Sequence, residues 1–151
     1  MSERASEMCA VVSVIDPTTG LTTATNTGDV IDVRGFDHLM FILSVGGCSS
    51  STASIILYLY EGTTSGVCTT LVDSLTITAA STGGSDVEDM QYIMDLDCQY
   101  LSGPNYRYVK PSITTATKNS SVSMVALGFK PRFHPASDSD LASVASITIS
   151  T

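Results

Sequence analysis

The segment from Tyr106 to Pro131 reads YRYVKPSITTATKNSSVSMVALGFKP. In its first arm, residues 106–115, aromatic or branched side chains alternate with polar ones, which is typical of a half-buried strand. The second arm, residues 122–131, also alternates, and both of its faces become apolar toward its end, as in a strand buried on two sides. Because the linker 116–120 is short and polar, we predict that the two arms form an antiparallel hairpin.

Pro111 interrupts the first arm of this segment. A proline has no backbone N–H to donate to a sheet ladder, and it is therefore confined to edge strands and bulges. We expect the first arm to be either an edge strand or a strand bulged at Pro111.

The rest of the chain consists of short apolar or alternating runs separated by turns rich in Gly, Pro, Ser and Thr. Segment 87–96 has apolar residues at helical spacing, but we favour a strand there. The other predicted strands cover residues 11–15, 29–33, 38–45 and 53–60, and one or two strands lie within 67–78. With no sustained amphipathic helix pattern, the sequence predicts an all-β β-sandwich of jelly-roll or Greek-key type with eight or nine short strands.

A chain of 151 residues fits a single domain with a core of its own. We expect residues 1–8 to be a flexible N-terminal arm and residues 9–135 to be the β-sandwich domain. Residues 136–151 are expected to be a C-terminal tail, within which Val144 to Ile149 alternate like a last strand.

The charge balance excludes some classes of partner. Fifteen acidic and seven basic residues give a net charge of −8. A uniformly acidic chain lacks the basic face that binds phosphates, so we predict neither nucleic-acid binding nor adsorption to anionic membranes. No apolar run reaches the roughly 20 residues of a membrane span, and the polar start lacks a signal-peptide pattern. We therefore expect the protein to be made and left in a cytosol.

The four cysteines, Cys9, Cys48, Cys68 and Cys98, show no C-x-x-C spacing. This spacing argues against a zinc knuckle or a thioredoxin-like motif. In a cytosolic protein, free thiols that behave as small apolar side chains are favoured. A disulfide formed after release from a cell stays open as an alternative.

The sequence contains no recognisable catalytic constellation. It has no G-x-S-x-G elbow and no phosphate-binding Gly-rich loop, and His38 and His134 are not in a ligand pattern. We therefore predict that the chain is not an enzyme and uses no cofactor. An acidic cluster is the best candidate for a calcium site, but its spacing does not follow a calcium loop, so a solvated acidic face and no metal are favoured. The cluster is formed by Asp86, Glu88, Asp89, Asp95 and Asp97.

Binding residues are predicted near both ends of the chain. Lys130, Arg132 and His134 concentrate positive charge near the end of an otherwise acidic sequence, where they can meet an acidic partner. Glu3 and Arg4 lie in the polar N-terminal arm, which can become ordered on a partner, as can the C-terminal tail by adding a strand to a sheet edge. Solvated strand ends and self-packed termini are the competing interpretations.

Three segments carry a resemblance to a known group of proteins. They contain a Gly35-Phe36-Asp37 corner before a buried strand, then an Arg-Tyr-Val-Lys strand at 107–110, then Gly-Phe-Lys-Pro-Arg at 128–132. Over residues 29–135 the chain resembles small all-β proteins encoded among the head genes of tailed bacteriophages. The tail beyond Pro135 departs from the pattern of that group.

The resemblance implies a decoration, or cement, protein. Such a protein is expected to be a homotrimer that binds the major capsid protein on the exterior of the virion, after synthesis in the host cytoplasm. Binding only to the assembled shell would stabilise the shell by mass action. Two alternatives stay open: a neck or tail component of the virion, and a carbohydrate-binding module whose sugar platform uses Tyr58, Tyr60, Tyr106 or Tyr108.

Overall fold

The computed structural model describes residues 5–21, 23–48, 54–78, 89–116, 120–132 and 144. Within these ranges the chain forms two antiparallel sheets, which confirms the all-β sandwich. A one-turn helix, α1 (Ala5–Met8), precedes the strands, and two 3₁₀ turns lie at Val33–Gly35 and Cys98–Tyr100. The strands are β1 (Cys9–Leu21), β2 (Ala24–Thr27), β3 (Ile31–Asp32), β4 (Phe36–Cys48), β5 (Ser54–Gly62), β6 (Thr70–Thr78), β7 (Met90–Asp97), β8 (Tyr108–Ala116) and β9 (Ser120–Pro131).

The order of the strands identifies the sandwich as a jelly roll. One sheet has the order β1-β9-β4-β7, and the other has the order β2-β8-β5-β6 with β3 also paired to β8. Pairing therefore runs inward from both ends of the chain: β1 with β9, β2 and β3 with β8, β4 with β7, and β5 with β6. A long hairpin rolled into two sheets has this pattern, so the jelly-roll alternative is the one that the chain adopts.

The predicted hairpin between the two arms of 106–131 is wrong. The first arm, β8, pairs with β2, β3 and β5, whereas the second arm, β9, pairs with β1 and β4 in the opposite sheet. Four residue steps from Ala116 to Ser120 can span about 14 Å, and packed sheets lie only about 10 Å apart. A short polar linker is therefore compatible with a connection between strands of opposite sheets as well as with a hairpin.

Pro111 lies in the interior of its sheet, not at an edge, because β8 is flanked by β5 on one side and by β2 and β3 on the other. The carbonyl of Pro111 accepts a hydrogen bond from the amide of Gly28 at 3.0 Å. The N–H and C=O of one strand residue point to the same side, so the donor that proline lacks would face the gap between β2 and β3. The sheet is therefore interrupted between β2 and β3, on one side of β8. Pro111 removes no ladder hydrogen bond between β8 and β5.

The core lies between the sheets and is built from the inward side chains of the four central strands. Each of these side chains is at most 1% exposed: Leu39, Phe41, Leu43, Ile55, Leu57, Leu59, Val109, Ile113, Met124 and Ala126. Burial of a large apolar side chain contributes about 1.5–3 kcal/mol. The predicted strand at 87–96 is confirmed by β7, in which Met94 and Leu96 face the core and the intervening Asp95 is exposed.

Candidate partner-binding surfaces

The structure describes two of the five predicted binding residues, Lys130 and Arg132; Glu3, Arg4 and His134 lie outside the described residues. Lys130 is exposed and has a φ of 51°, in the left-handed region. Arg132 is half exposed, with its Nε 3.6 Å from Oδ1 of Asp37. Its amide donates a hydrogen bond to the carbonyl of Gly35 at 3.0 Å. Arg132 thus already contributes to a contact within the chain, and its role toward a partner stays a prediction.

A second ion pair joins Asp32 to Arg107. The Nε of Arg107 donates to the two carboxylate oxygens at 2.8 and 2.9 Å, and its Nη2 donates to Oδ2. This hydrogen bonding holds the pKa of Asp32 below its ordinary value, although partial burial opposes it. The guanidinium also lies 5.2 Å from the ring centroid of Tyr108, within the range of a cation–π contact.

The three segments that carry the phage resemblance contact one another. Arg132 pairs with Asp37 of the Gly-Phe-Asp corner, and Phe36 of that corner packs on Gly128. The amide of Val33, which precedes the corner, donates to the carbonyl of Arg107 at 2.9 Å. These residues fix the junction between the corner and the ends of β8 and β9, so the motifs are architectural.

Next to this junction lies a shallow depression of about 520 Å³. Burial raises the pKa of the Cys98 thiol in its wall to about 12, with the charges of Asp97 and Asp37 adding to the effect. A thiol with such a pKa stays protonated at neutral pH and is a poor nucleophile. The residues that line the depression are Val33, Arg34, Cys98, Gln99, Leu101, Gly103, Pro104, Tyr106 and Arg132.

Among the cysteines whose side chains are described, Cys68 and Cys98 are free thiols. This agrees with the favoured prediction for those two. The side chain of Cys48 lies outside the described set.

The acidic cluster is described only in part, because Asp86 and Glu88 lie outside the described residues. Asp89, Asp95 and Asp97 follow one another along β7 and its start. In the described part of the chain, no three His, Cys, Asp or Glu side chains are grouped so that they could hold a metal ion.

The outward side of the β1-β9-β4-β7 sheet, which we call the apolar outer face, is rich in aliphatic side chains. Ile42 lies in register between Val125 and Ile93, and Val14 continues the row on the far side of Val125. Ile93 is 59% exposed and Val125 is 38% exposed. The other residues of the face are partly exposed. A contiguous apolar patch on a protein surface marks an interaction site. The face consists of Val11, Val14, Met40, Ile42, Ile93, Val125 and Leu127.

Acidic residues and a groove border the apolar outer face. Asp95 and Asp97 lie in β7, the strand at one edge of the sheet, and Asp89 directly precedes it. A groove of about 390 Å³ crosses one end of the sheet. It is lined by residues of all four strands: Pro17, Thr18, Ser44, Val45, Gly46, Asp89, Met90, Gln91, Ser121, Val122 and Ser123.

The outward side of the other sheet has a different chemistry. Tyr58 and Tyr60 of β5 stack there with their ring centroids 5.8 Å apart and an interplanar angle of 28°. In register, Tyr58 faces Ser112, and Tyr60 faces Lys110. Of the four predicted platform tyrosines, Tyr58, Tyr60 and Tyr108 therefore lie on this tyrosine face, whereas Tyr106 lines the depression.

The sequence analysis did not predict that the apolar outer face is exposed, although the sequence shows its apolar residues. Both sides of β4 and of the end of β9 are apolar in sequence, and we interpreted this as burial on two sides. In the structure, Leu39 and Phe41 of β4 are fully buried, but Met40 and Ile42 on the other side are only half buried. Strands with two apolar sides in a two-sheet protein can thus indicate an interface as well as a covered core.

No protein-family model and no curated protein matches this sequence. Among solved structures, the chain is similar to a chain in the structure of the Gt strain of infectious bursal disease virus, with a TM-score of 0.44 and 12% sequence identity. The likeness covers 85% of this chain and 33% of the viral chain. The described chain therefore spans about a third of that neighbour, and so weak a likeness carries no argument about function. No helix among the described residues is long and apolar enough to cross a membrane.

Proposed function

We propose that this chain is a structural virion protein that binds the outside of a bacteriophage capsid, as a trimeric decoration protein. The observation that carries the proposal is the apolar outer face: a jelly roll whose second apolar side lies open, with Ile93 59% exposed, is suited to binding a large surface. The resemblance of residues 29–135 to head-encoded phage proteins supports the same role. Asp32 with Arg107 and Asp37 with Arg132 brace the domain that would bear the load.

Cryo-electron microscopy of the parent phage tests the proposal. We expect density for the jelly roll on the exterior of the head, in threefold clusters. A head exterior without such density contradicts the decoration role. Copy number relative to the major capsid protein, measured by quantitative mass spectrometry of purified particles, separates a decoration protein from a neck or tail component, which is present in a few copies.

A second candidate function rests on the tyrosine face. The stacked pair Tyr58 and Tyr60 beside Lys110 offers aromatic and polar groups on one open side of a sheet, which suits a carbohydrate. A glycan array tests it, with Tyr60→Ala expected to abolish any hit. The control is Tyr100→Ala, since Tyr100 is 81% exposed and lies outside β5 and β8. An array without hits on the wild-type protein removes this candidate.

A further inference from the structure

We propose that the apolar outer face is the surface that contacts the shell, and that the shell presents to it an apolar patch bordered by Lys or Arg side chains. This inference rests on the proposed function and names the binding surface and the chemistry of its partner. It differs from the prediction made from sequence, which assigned binding to charged residues near the chain ends.

The contrast between the two outward sheet faces identifies the contacting side. On the tyrosine face, polar side chains lie among the apolar ones: Thr25 pairs with Thr114, Ile56 pairs with Thr114, and Tyr60 pairs with Lys110 and with the exposed Leu71. On the apolar outer face, Ile42 pairs with both Val125 and Ile93. Both faces belong to one domain with one core, so the second apolar side is not needed for packing the sandwich. A partner that covers it would remove this apolar surface from water.

The charges around the face favour a basic partner over a second copy of this chain. Asp89 and Asp95 are exposed along the β7 edge, and Asp97 is half buried beside them. Lys130 and Arg132 lie past Phe129 at the end of β9, and Arg132 is near Asp37. A second copy at this face would bring further acidic side chains to its border, whereas a basic border on the partner would speed association and fix its orientation.

The groove at the end of the sheet gives the partner a defined position. Its lining includes the next outward positions after the apolar residues, where Ser44 pairs in register with both Ser123 and Gln91. Met90 in its wall is 49% exposed. A protruding partner side chain can therefore enter the groove while aliphatic side chains meet the centre of the face, in the arrangement of an apolar centre with a polar rim.

The experiment uses purified full-length protein and phage heads produced without it, with binding measured by co-sedimentation. Ile93→Ser is expected to weaken binding by about tenfold or more, because it replaces the most exposed apolar side chain of the face with a polar one. The matched control is Leu71→Ser on β6, because Leu71 is 51% exposed and lies in the other sheet. Its binding should equal that of the wild type.

A charge-reversal pair tests the chemistry of the partner. Asp95→Lys should weaken binding at low salt, and the difference from the wild type should shrink near 0.5 M salt, where the screening length is only about 4 Å. Asp73→Lys, an exposed position on β6 in the other sheet, is the control with the same change of charge. If Asp95→Lys binds as well as Asp73→Lys, the basic border is wrong.

The outcomes separate this inference from the proposed function. Wild-type protein that does not bind the heads contradicts both. Wild-type binding together with equal binding of Ile93→Ser leaves the decoration role intact and overturns the assignment of the face. If Ile93→Ser instead dissociates a homo-oligomer, seen by light scattering, and still binds the heads, the face belongs to a second copy and the inference is also overturned.

Discussion

Phe36 of β4 covers Gly128 of β9 so closely that a β-carbon at position 128 would lie 2.6 Å from Cδ1 of the ring. Phe36 is 3% exposed, and Gly128 is buried. A glycine at position 128 is therefore required by the packing of Phe36, which joins the corner at the start of β4 to the end of β9.

We expect Gly128→Ala to lower the free energy of unfolding by about 1–3 kcal/mol, because the added methyl group must displace a packed aromatic ring. Urea denaturation at pH 7 measures the change. Gly47→Ala is the matched control, since a β-carbon at that position has no neighbour within 4 Å, and its effect should stay within about 0.5 kcal/mol.

A double variant confirms the cause of the Gly128→Ala loss. Phe36→Leu removes ring atoms that an alanine at position 128 would meet. The combined loss should therefore be smaller than the sum of the two single losses, as expected for residues in contact. Strict additivity would contradict a direct clash between these two side chains.

Glu61 at the end of β5 is fully buried, and its Oε2 accepts a hydrogen bond from the amide of Ser102 at 3.0 Å. Its Oε1 has no hydrogen-bond partner among the described residues. The side chain thus connects β5 to the loop after the second 3₁₀ turn. We expect Glu61→Ala to cost about 2–4 kcal/mol through the cavity and the lost hydrogen bond.

Glu61→Gln is the informative companion variant. Its amide oxygen can still accept the hydrogen bond from Ser102, so we expect a stability within about 1 kcal/mol of the wild type. Thermal and urea denaturation compare the two variants. A glutamine variant as unstable as the alanine variant would show that the hydrogen bond to Ser102 is not what makes Glu61 stabilising.

The strands were predictable from sequence because the apolar alternation records which side of each strand faces the core. β4 and β5 follow from that pattern, whereas a strand at β7 was favoured although its segment has apolar residues at helical spacing. Partners do not follow from it, since β8 and β9 have the same alternation whether they pair with each other or lie in opposite sheets. The pairing is set by contacts between residues far apart in sequence, such as Ile31 with Val109.

Residues that are typical of turns also lie within a strand, because pairing with a distant strand outweighs their local preference. Asp16 and Pro17 predicted the end of the first strand, yet β1 continues to Leu21 with register shifts against β9. β1 is an edge strand, so a proline there can face away from the ladder. At the candidate surface, the sequence shows that both sides of β4 are apolar. Whether the outward side is exposed depends on which element covers it, and the sequence of one strand does not give that information.

The ion pair of Asp32 with Arg107 predicts a loss of stability in acid. The pKa of Asp32 is lowered in the folded protein, chiefly by its hydrogen bonds from Arg107. The contribution of the pair is therefore complete above the unfolded pKa of about 3.9 and is lost as the pH falls through the lower folded value. Since the side chains of Arg107 and Asp32 are 35% and 40% exposed, we expect at most about 1 kcal/mol.

Asp32→Asn tests this pH dependence, because asparagine can still accept the hydrogen bond from the Arg34 amide that caps the 3₁₀ turn. Urea midpoints of the wild type and the variant should differ at pH 7 and converge as the pH falls well below 4. A difference that persists undiminished at pH 2 would assign the effect of the variant to packing and not to charge.

The half-buried thiol of Cys98 predicts the opposite behaviour in alkali. Burial, with Asp97 and Asp37 as further causes, raises its pKa to about 12, whereas an unfolded chain has a thiol pKa of about 8.5. Its contribution is complete below the unfolded value and is lost as the pH rises through the folded value. We expect the advantage of the wild type over Cys98→Ala to shrink between pH 8 and 10 by less than about 2 kcal/mol, since the thiol is partly exposed.

Alkylation gives an independent measurement of the same thiol. In a variant with Cys9, Cys48 and Cys68 replaced by serine, Cys98 should react with iodoacetamide at pH 8 far more slowly in the folded protein than in urea, because only the thiolate reacts. Mass spectrometry follows the modification over time, and Cys98→Ala in the same background gives the baseline. Equal rates in the folded and unfolded protein would show that Cys98 ionises like a thiol in water, and would remove the basis for the alkaline loss of stability.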